Sequence, residues 1–385
     1  MDGMGYTEVI PWFQRFIHGQ LRLLELMINI INEPAIQFYC VNKFWIMKRL
    51  KCAVGFILCL LVGQFCYAQD PSFSQFFSSP LNINPALTGN INGDWRVISN
   101  FRDQWIGPAS PYTTGTASYD RKILQHKMPG IPEENIMGVG GMLMYDYAMD
   151  GIVKSTYASL NLSYSIKLSQ QPTIHRLTAG FGGSYGKRFV DFSRLTFEEQ
   201  FTGFGFNTSL PTGEVALSNM KGNLSANSGL TYSIKSEKRN FDIGIAGFHL
   251  NQPKQTFLKD ENERLAIRKV IHANFETYLN DFLVLNTNAI YQNQARAKYY
   301  SAGASLGYFI GEQQDMMFNA GMWYWSKNAV IPYIGLVYGN MQFGFSYDIT
   351  TSSLNEARRK PNTWEFSFII RGVKDPTGII PCPWK

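Results

Sequence analysis

Between Ala158 and Leu168 every even-numbered residue is apolar or aromatic (Ala158, Leu160, Leu162, Tyr164, Ile166, Leu168) and every odd-numbered one is polar (Ser159, Asn161, Ser163, Ser165, Lys167). Side chains alternate faces along a β-strand, so this stretch has one apolar wall and one wet wall. Similar two-faced segments recur at 95–102, 112–121, 137–147, 155–168, 175–187, 223–235, 241–248, 269–279, 282–292, 299–309, 316–325, 329–338, 341–349 and 363–370. About fourteen strands is an even number of the size expected of a bacterial outer-membrane barrel. The predicted fold is all-β, a transmembrane antiparallel outer-membrane β-barrel over 95–371 with a short N-terminal plug or periplasmic segment.

The first 68 residues stand apart. Met47-Lys48-Arg49-Leu50-Lys51 followed by the apolar run Ala53–Gly63 has the basic head and greasy middle of a signal peptide, and Cys66-Tyr67-Ala68 supplies small residues at the cleavage positions. The run is too short to span a bilayer with margin. We therefore expect a signal peptide at 47–68 cut before Gln69, with 1–46 the product of a start codon placed too early. Export takes away Cys40, Cys52, Cys59 and Cys66 and leaves Cys382 alone, which excludes an intramolecular disulfide and a cysteine zinc site. The exported chain keeps 29 basic and 25 acidic residues, a net of +4, too mild a charge to argue for nucleic acid.

No stretch after residue 68 is apolar for long enough to be a spanning helix, so a membrane-embedded chain must close into a barrel whose backbone groups pair across strands. Connection lengths agree. Barrels of this kind have short periplasmic turns and longer outer loops, and the links after even-numbered strands are turn sequences such as Ser169–Thr173, Ser236–Asn240, Asn280-Asp281 and Gly339-Asn340. The links after odd-numbered strands include the long 188–222 and 249–268. Two links break the rule, 122–136 by length and 326–328 by shortness. Trp95, Trp105, Tyr145, Tyr147, Tyr299, Tyr300, Trp323, Trp325 and Trp364 fall near strand ends, where amphipathic rings form an interfacial belt. A soluble β-sandwich is the alternative, but its core prefers Val, Ile and Leu to Gly, Ala and Tyr and uses shorter strands.

Catalytic chemistry has little to stand on. The histidines after the leader, His126, His175, His249 and His272, have no metal-binding spacing, and no cofactor is expected. His272 alternates with Asn274 and Glu276 and reads as part of a polar lumen ladder. A lipid hydrolase would need a Ser-His pair with an activating third group. Gly138-Val139-Gly140-Gly141 and Gly180-Phe181-Gly182-Gly183 lie inside strand patterns without a following helix, so close packing or sheet bending explains them better than phosphate binding. Arg358, Arg359 and Lys360 form a candidate extracellular basic patch, suited to lipopolysaccharide phosphates or an acidic partner.

Gln69-Asp70-Pro71-Ser72-Phe73-Ser74-Gln75-Phe76-Phe77 and Pro80-Leu81-Asn82-Ile83-Asn84-Pro85-Ala86-Leu87-Thr88-Gly89, followed by Asn100-Phe101-Arg102-Asp103-Gln104-Trp105 and Tyr112–Asp120, resemble the opening of the PorP/SprF family of type IX secretion system membrane proteins. The resemblance implies an outer-membrane protein without catalytic activity that works in export or surface attachment of large proteins, gliding-motility adhesins among them. Its implied partners are periplasmic components of the secretion machine and a secreted surface adhesin or other cargo protein. Segment 69–94 is then a periplasmic or plug element, with Asp70, Pro71, Phe73, Gln75, Asn84, Pro85 and Ala86 as candidate partner or plug contacts. Asn84-Pro85-Ala86 fits a turn, because a residue before proline is pushed out of helical geometry. The tail 372–385 would lie in the periplasm. The competing reading is a hydrophobic small-molecule channel of the fatty-acid type, which requires a continuous apolar path inside, whereas the inward rows read mainly as Ser, Asn, Thr, Gly and charged residues.

Overall fold

The computed structural model describes residues 70–107, 110–123, 135–169, 172–213, 221–255, 264–311, 315–326, 328–356 and 360–372. These carry β1 (Trp95–Ile106), β2 (Tyr112–Ile123), β3 (Ile136–Ala148), β4 (Val153–Lys167), β5 (Ile174–Val190), β6 (Asn223–Lys235), β7 (Arg239–Phe248), β8 (Arg268–Tyr278), β9 (Leu283–Gln294), β10 (Ala297–Ile310), β11 (Met316–Trp325), β12 (Ala329–Tyr338), β13 (Met341–Tyr347), β14 (Ile349–Thr350) and β15 (Asn362–Gly372). Each pairs antiparallel with its neighbours. The sheet closes where β1 meets β15, in a register that sets Val97 against Ile370 and Phe101 against Phe366.

Segments β13 and β14 are two pieces of one stave, both paired with β12, so the closed barrel has fourteen staves. The alternating pattern reads this stave as continuous over 341–349. The break falls at Asp348, whose carboxylate turns inward to Arg102 while its N–H donates to the Thr363 carbonyl at 2.9 Å. β1 runs beyond its predicted end to Ile106 through a register shift after Asp103, where Trp105 adopts a left-handed conformation (φ 64°). Such bulges bend a strand near a barrel rim.

The two walls face as the alternation demands. On β4, Leu160 is 75% exposed and Leu162, Tyr164 and Ile166 share its side, while Asn161, Ser163 and Ser165 are buried. On β6, Leu224 faces out while Ser225 and Asn227 face in. An exposed apolar wall of this extent on a closed sheet is a lipid-facing wall, and the polar residues buried beneath it line the lumen. No helix among the described residues is long and apolar enough to cross a membrane.

The outward wall is testable at the middle of β4. Leu160→Arg is expected to lower the stability of the barrel in lipid vesicles by about 2–4 kcal/mol, the penalty for a cation on a lipid face near the bilayer centre. Denaturant unfolding in vesicles measures it, and an unchanged midpoint would contradict a lipid-facing Leu160.

Candidate functional site

The lumen holds the protein's own N-terminal segment. It descends from Asp70 near the loop end of the barrel to Asp94 at the turn end, where β1 begins. Along the way it forms a 3-10 turn (Phe76–Ser78), a one-turn α-helix (Pro80–Ile83) and a second 3-10 turn (Pro85–Leu87). Proline starts the latter two, since its fixed φ suits a first helical position and its missing N–H is not needed there.

At the loop end, Asp70 is clamped by charge. Its Oδ2 lies 3.2 Å from Arg268 Nε and accepts from His249 Nε2 at 2.7 Å, and its backbone N–H donates to Gln294 Oε1 at 2.8 Å. Burial raises the penalty for charging this carboxyl, but the Arg268 guanidinium and the His249 hydrogen bond outweigh it and hold Asp70 well below the usual carboxylate range. Arg268 stacks over Phe248, 4.0 Å from the ring centre, and reaches the Asn82 carbonyl at 3.1 Å. His249 completes a chain to Ser225, whose Oγ is 2.7 Å from Nδ1. This is a Ser-His-Asp sequence of contacts, yet Ser225 is only 5% exposed and Asp70 is already compensated by Arg268, so the chain ties the segment to β6 rather than presenting a nucleophile.

One turn lower, Ser74 and Gln75 donate their backbone N–H groups to the two carboxyl oxygens of Glu365, at 2.8 and 3.0 Å. Gln75 Nε2 also donates to Ser346 Oγ and to the Glu365 carbonyl, and its Oε1 accepts from Ser367. Asp348 Oδ2 accepts from Ser74 Oγ at 2.7 Å and from Arg102, whose other amino group reaches the Ser72 carbonyl. Buried ions persist where a partner and several hydrogen bonds offset their lost hydration. Here the Arg102 guanidinium supplies the larger part of that compensation, and the segment's backbone N–H groups add to it.

Two apolar contacts lock the middle. Phe73 and Leu81 pack with Met142 and Met144 of β3. Opposite them, Phe77 sits 4.6 Å from Trp323 and 5.6 Å edge-on from Tyr333, with Phe76 and Ile83 in the same cluster. The interfacial belt expected of Trp323, Trp325 and Tyr299 is therefore corrected for these three. Trp323 and Trp325 turn inward and are buried, and Tyr299 donates from its hydroxyl to Ser72 Oγ at 2.9 Å. Trp95, Trp105, Tyr145 and Tyr300 remain on the outer surface. The lumen wall of β11 and β12 is apolar for the same reason, since Phe76 and Phe77 occupy it.

Asn84, fully buried, is the centre of the seat. Its Nδ2 lies within hydrogen-bond reach of the Leu230 and Ile245 carbonyls, Thr231 Oγ1 and His272 Nε2, at 3.0–3.2 Å, while its Oδ1 accepts from Ala86 N–H at 2.8 Å. Pro85 and Ala86 lie directly on Gly180, and Asn84 lies on Gly229, where a Cβ would have no room. The glycines inside these strand patterns serve close approach of a second backbone.

Below the seat, Arg96 and Asp120 form a buried bidentate pair at 3.0 and 2.9 Å, and Asp120 Oδ2 also accepts from Gly89 N–H at 2.8 Å. The turn end opens into a cavity of about 230 Å³ lined by Lys122, Arg176 and Lys235 with the hydroxyls of Ser163, Ser165, Thr178 and Ser233. Lys235 donates to Asn92 Oδ1 at 2.7 Å. No carboxylate is among the described residues of this lining. Nor does any group of His, Cys, Asp and Glu among the described residues suit a metal ion.

The model of the type IX secretion system membrane protein PorP/SprF family matches residues 65–370, most of the chain. The protein belongs to the PorP/SprF family. No curated protein matches its sequence. Among solved structures, this family member is similar to the toluene transporter TodX of Pseudomonas putida (10% identity, 79% of this chain and 94% of that one, TM-score 0.43). It is also similar to a Pseudomonas aeruginosa FadL homologue (11% identity, 74% and 91%, TM-score 0.42) and to CdiB from Acinetobacter baumannii (8% identity, 72% and 60%, TM-score 0.41). The chain spans 60% of the CdiB length.

The structure brings Asp70, Pro71, Phe73, Gln75, Asn84, Pro85 and Ala86 together inside the lumen, where all but Asp70 are fully buried and Asp70 nearly so. Of the basic patch, Arg358 and Arg359 lie outside the described residues, and Lys360 is exposed. The tail 373–385, with Cys382, and the leader 1–68 also lie outside them. Sequence reasoning missed the wall residues that receive the segment: Arg96, Arg102, Asp120, His249, Arg268, Asp348 and Glu365. Inward parity together with charge was the available signal for Arg96, Arg102, Asp120, Arg268 and Glu365, because a charge buried on a lumen row requires a partner.

Two substitutions test the seat. Asn84→Ala leaves several buried acceptors without their donor and is expected to destabilise the seated segment by about 1–3 kcal/mol, read as faster proteolysis within 70–94 while the β-sheet circular dichroism is kept. Asp70 has a depressed folded-state pKa, so its contribution is complete above the ordinary carboxylate value of 3.8 and is lost as pH falls through the lower folded value. The denaturant midpoint for exposing 70–94 should therefore lose the Asp70 contribution only below about pH 4. In Asp70→Asn the midpoint should be lower at neutral pH, and that acid loss should shrink.

Proposed function

We propose that this protein is an outer-membrane barrel of the type IX secretion and gliding machinery that docks a large secreted protein and supports its export or surface anchoring, without itself serving as the conduit. The family match supports the machinery, and the observation that carries the docking role is the filled lumen. Residues 70–94 fill the lumen and meet its wall through a buried ion pair, hydrogen bonds and apolar packing, so with the segment seated no cargo polypeptide passes through. The working surfaces are then the two ends.

On the outer side, the connections 191–222 and 249–267 with Lys360 are the candidate cargo face, and the basic run in which Arg358 and Arg359 precede Lys360 suits lipopolysaccharide phosphate or an acidic partner. On the periplasmic side, the cavity bearing Lys122, Arg176 and Lys235 suits an acidic segment of a ring component. A fatty-acid-type channel needs an open apolar path. The apolar sector of β11 and β12 is filled by Phe76 and Phe77, so that reading requires the segment to leave.

A pull-down from detergent-solubilised outer membrane tests the reading. A very large secreted protein or periplasmic ring components are expected to co-purify, and Lys122→Glu with Arg176→Glu is expected to deplete the ring components while sparing outer cargo. Recovery of a lone barrel that binds radiolabelled fatty acid would overturn it in favour of the channel.

A further inference from the structure

The direction in which the N-terminal segment runs carries a consequence for the exported chain's free end. β1 starts at Trp95 on the turn end, and Asp94 is tied there, its N–H donating to the Gly372 carbonyl at 2.9 Å. Going backwards from that point, the anchors climb. Gly89 bonds to Asp120 near the turn end of β2, and Asn84 bonds to Thr231 and His272 at mid-height. Gln75 bonds to Ser346 higher still, and Asp70 meets Arg268, the first residue of β8, and Gln294, the last of β9, both at the loop end.

We propose that the N-terminal end of the exported chain opens at the external mouth of the barrel, beside the cargo-facing loops, although the chain enters its first strand from the periplasm. This rests on the membrane orientation adopted above, with short turns in the periplasm. Asp70, where the described residues begin, lies at the far end of the lumen from β1. A leader still held on the periplasmic side would have to double back through a lumen already packed by Phe73, Phe77, Asn84 and their partners. The free end therefore sits at that mouth, beside the clamped Asp70.

Cysteine accessibility tests the topology in the full-length protein. In a Cys382→Ser background, a short Gly-Ser linker carrying one cysteine is inserted between Gln69 and Asp70 and probed with a membrane-impermeant maleimide on intact and on permeabilised cells. Phe204→Cys, at a fully exposed position between β5 and β6, and Asp281→Cys, in the β8–β9 turn, mark the two sides. The inserted cysteine is expected to label on intact cells to the same extent as Phe204→Cys. Labelling only with Asp281→Cys after permeabilisation overturns the proposal, and so does labelling under neither condition. If the two markers themselves exchange sides, the membrane orientation fails, while an insert that still groups with Phe204→Cys keeps the path through the lumen.

Discussion

A sheet immersed in lipid has no water to satisfy an edge, and this one has no edge. Every stave pairs on both sides, and the pairing of β1 with β15 closes the ring. Closure dictates the rest of the molecule. It forces apolar residues onto the outside and polar residues into a confined interior, the reverse of a water-soluble protein. An interior lined by Asn, Ser, Arg, Asp and Glu is then either hydrated or filled by groups that match it. Here much of it is filled by the chain's own first residues, which bring backbone N–H groups, an amide hub and aromatic rings to the places that need them.

The charges inside are organised as bridges between segment and wall. Arg96 and Asp120 hold Leu87 and Gly89, Arg102 and Asp348 hold Ser72 and Ser74, and Arg268 holds Asp70 and Asn82. Removing one partner of such a pair leaves an uncompensated buried ion, which is far more destabilising than replacing both with apolar groups. The segment is thus secured near the loop end, the middle and the turn end by contacts that differ in kind. Salt weakens none of them much, because they are shielded from solvent.

The staves were legible from period-two alternation to within a few residues, and β6, β11 and β12 begin and end where the pattern does. What alternation cannot tell is what lies against the inward row. Trp323 and Tyr299 have the composition of a lipid-interface belt, but parity places Trp323 inward and the partner that claims it, Phe77, comes from more than two hundred residues away. The break at Asp348 was hidden for a similar reason, since it depends on Arg102 and Ser74 rather than on neighbours in sequence. The Asn84-Pro85-Ala86 turn was readable as a turn, whereas its acceptors on β6, β7 and β8 were not. The family was readable from residues 69–120 because those are the residues that form the segment, its turn and the first hairpin.

The seat of Asn84 on β6, β7 and β8, together with the anchorage of Ser74 and Gln75 on β15 across the lumen, makes the segment an internal tie rod. A hollow cylinder of fourteen staves can flatten into an oval with little change in its hydrogen bonds. One braced across its bore resists that flattening, so the rim at either end keeps its spacing when a load is applied to it.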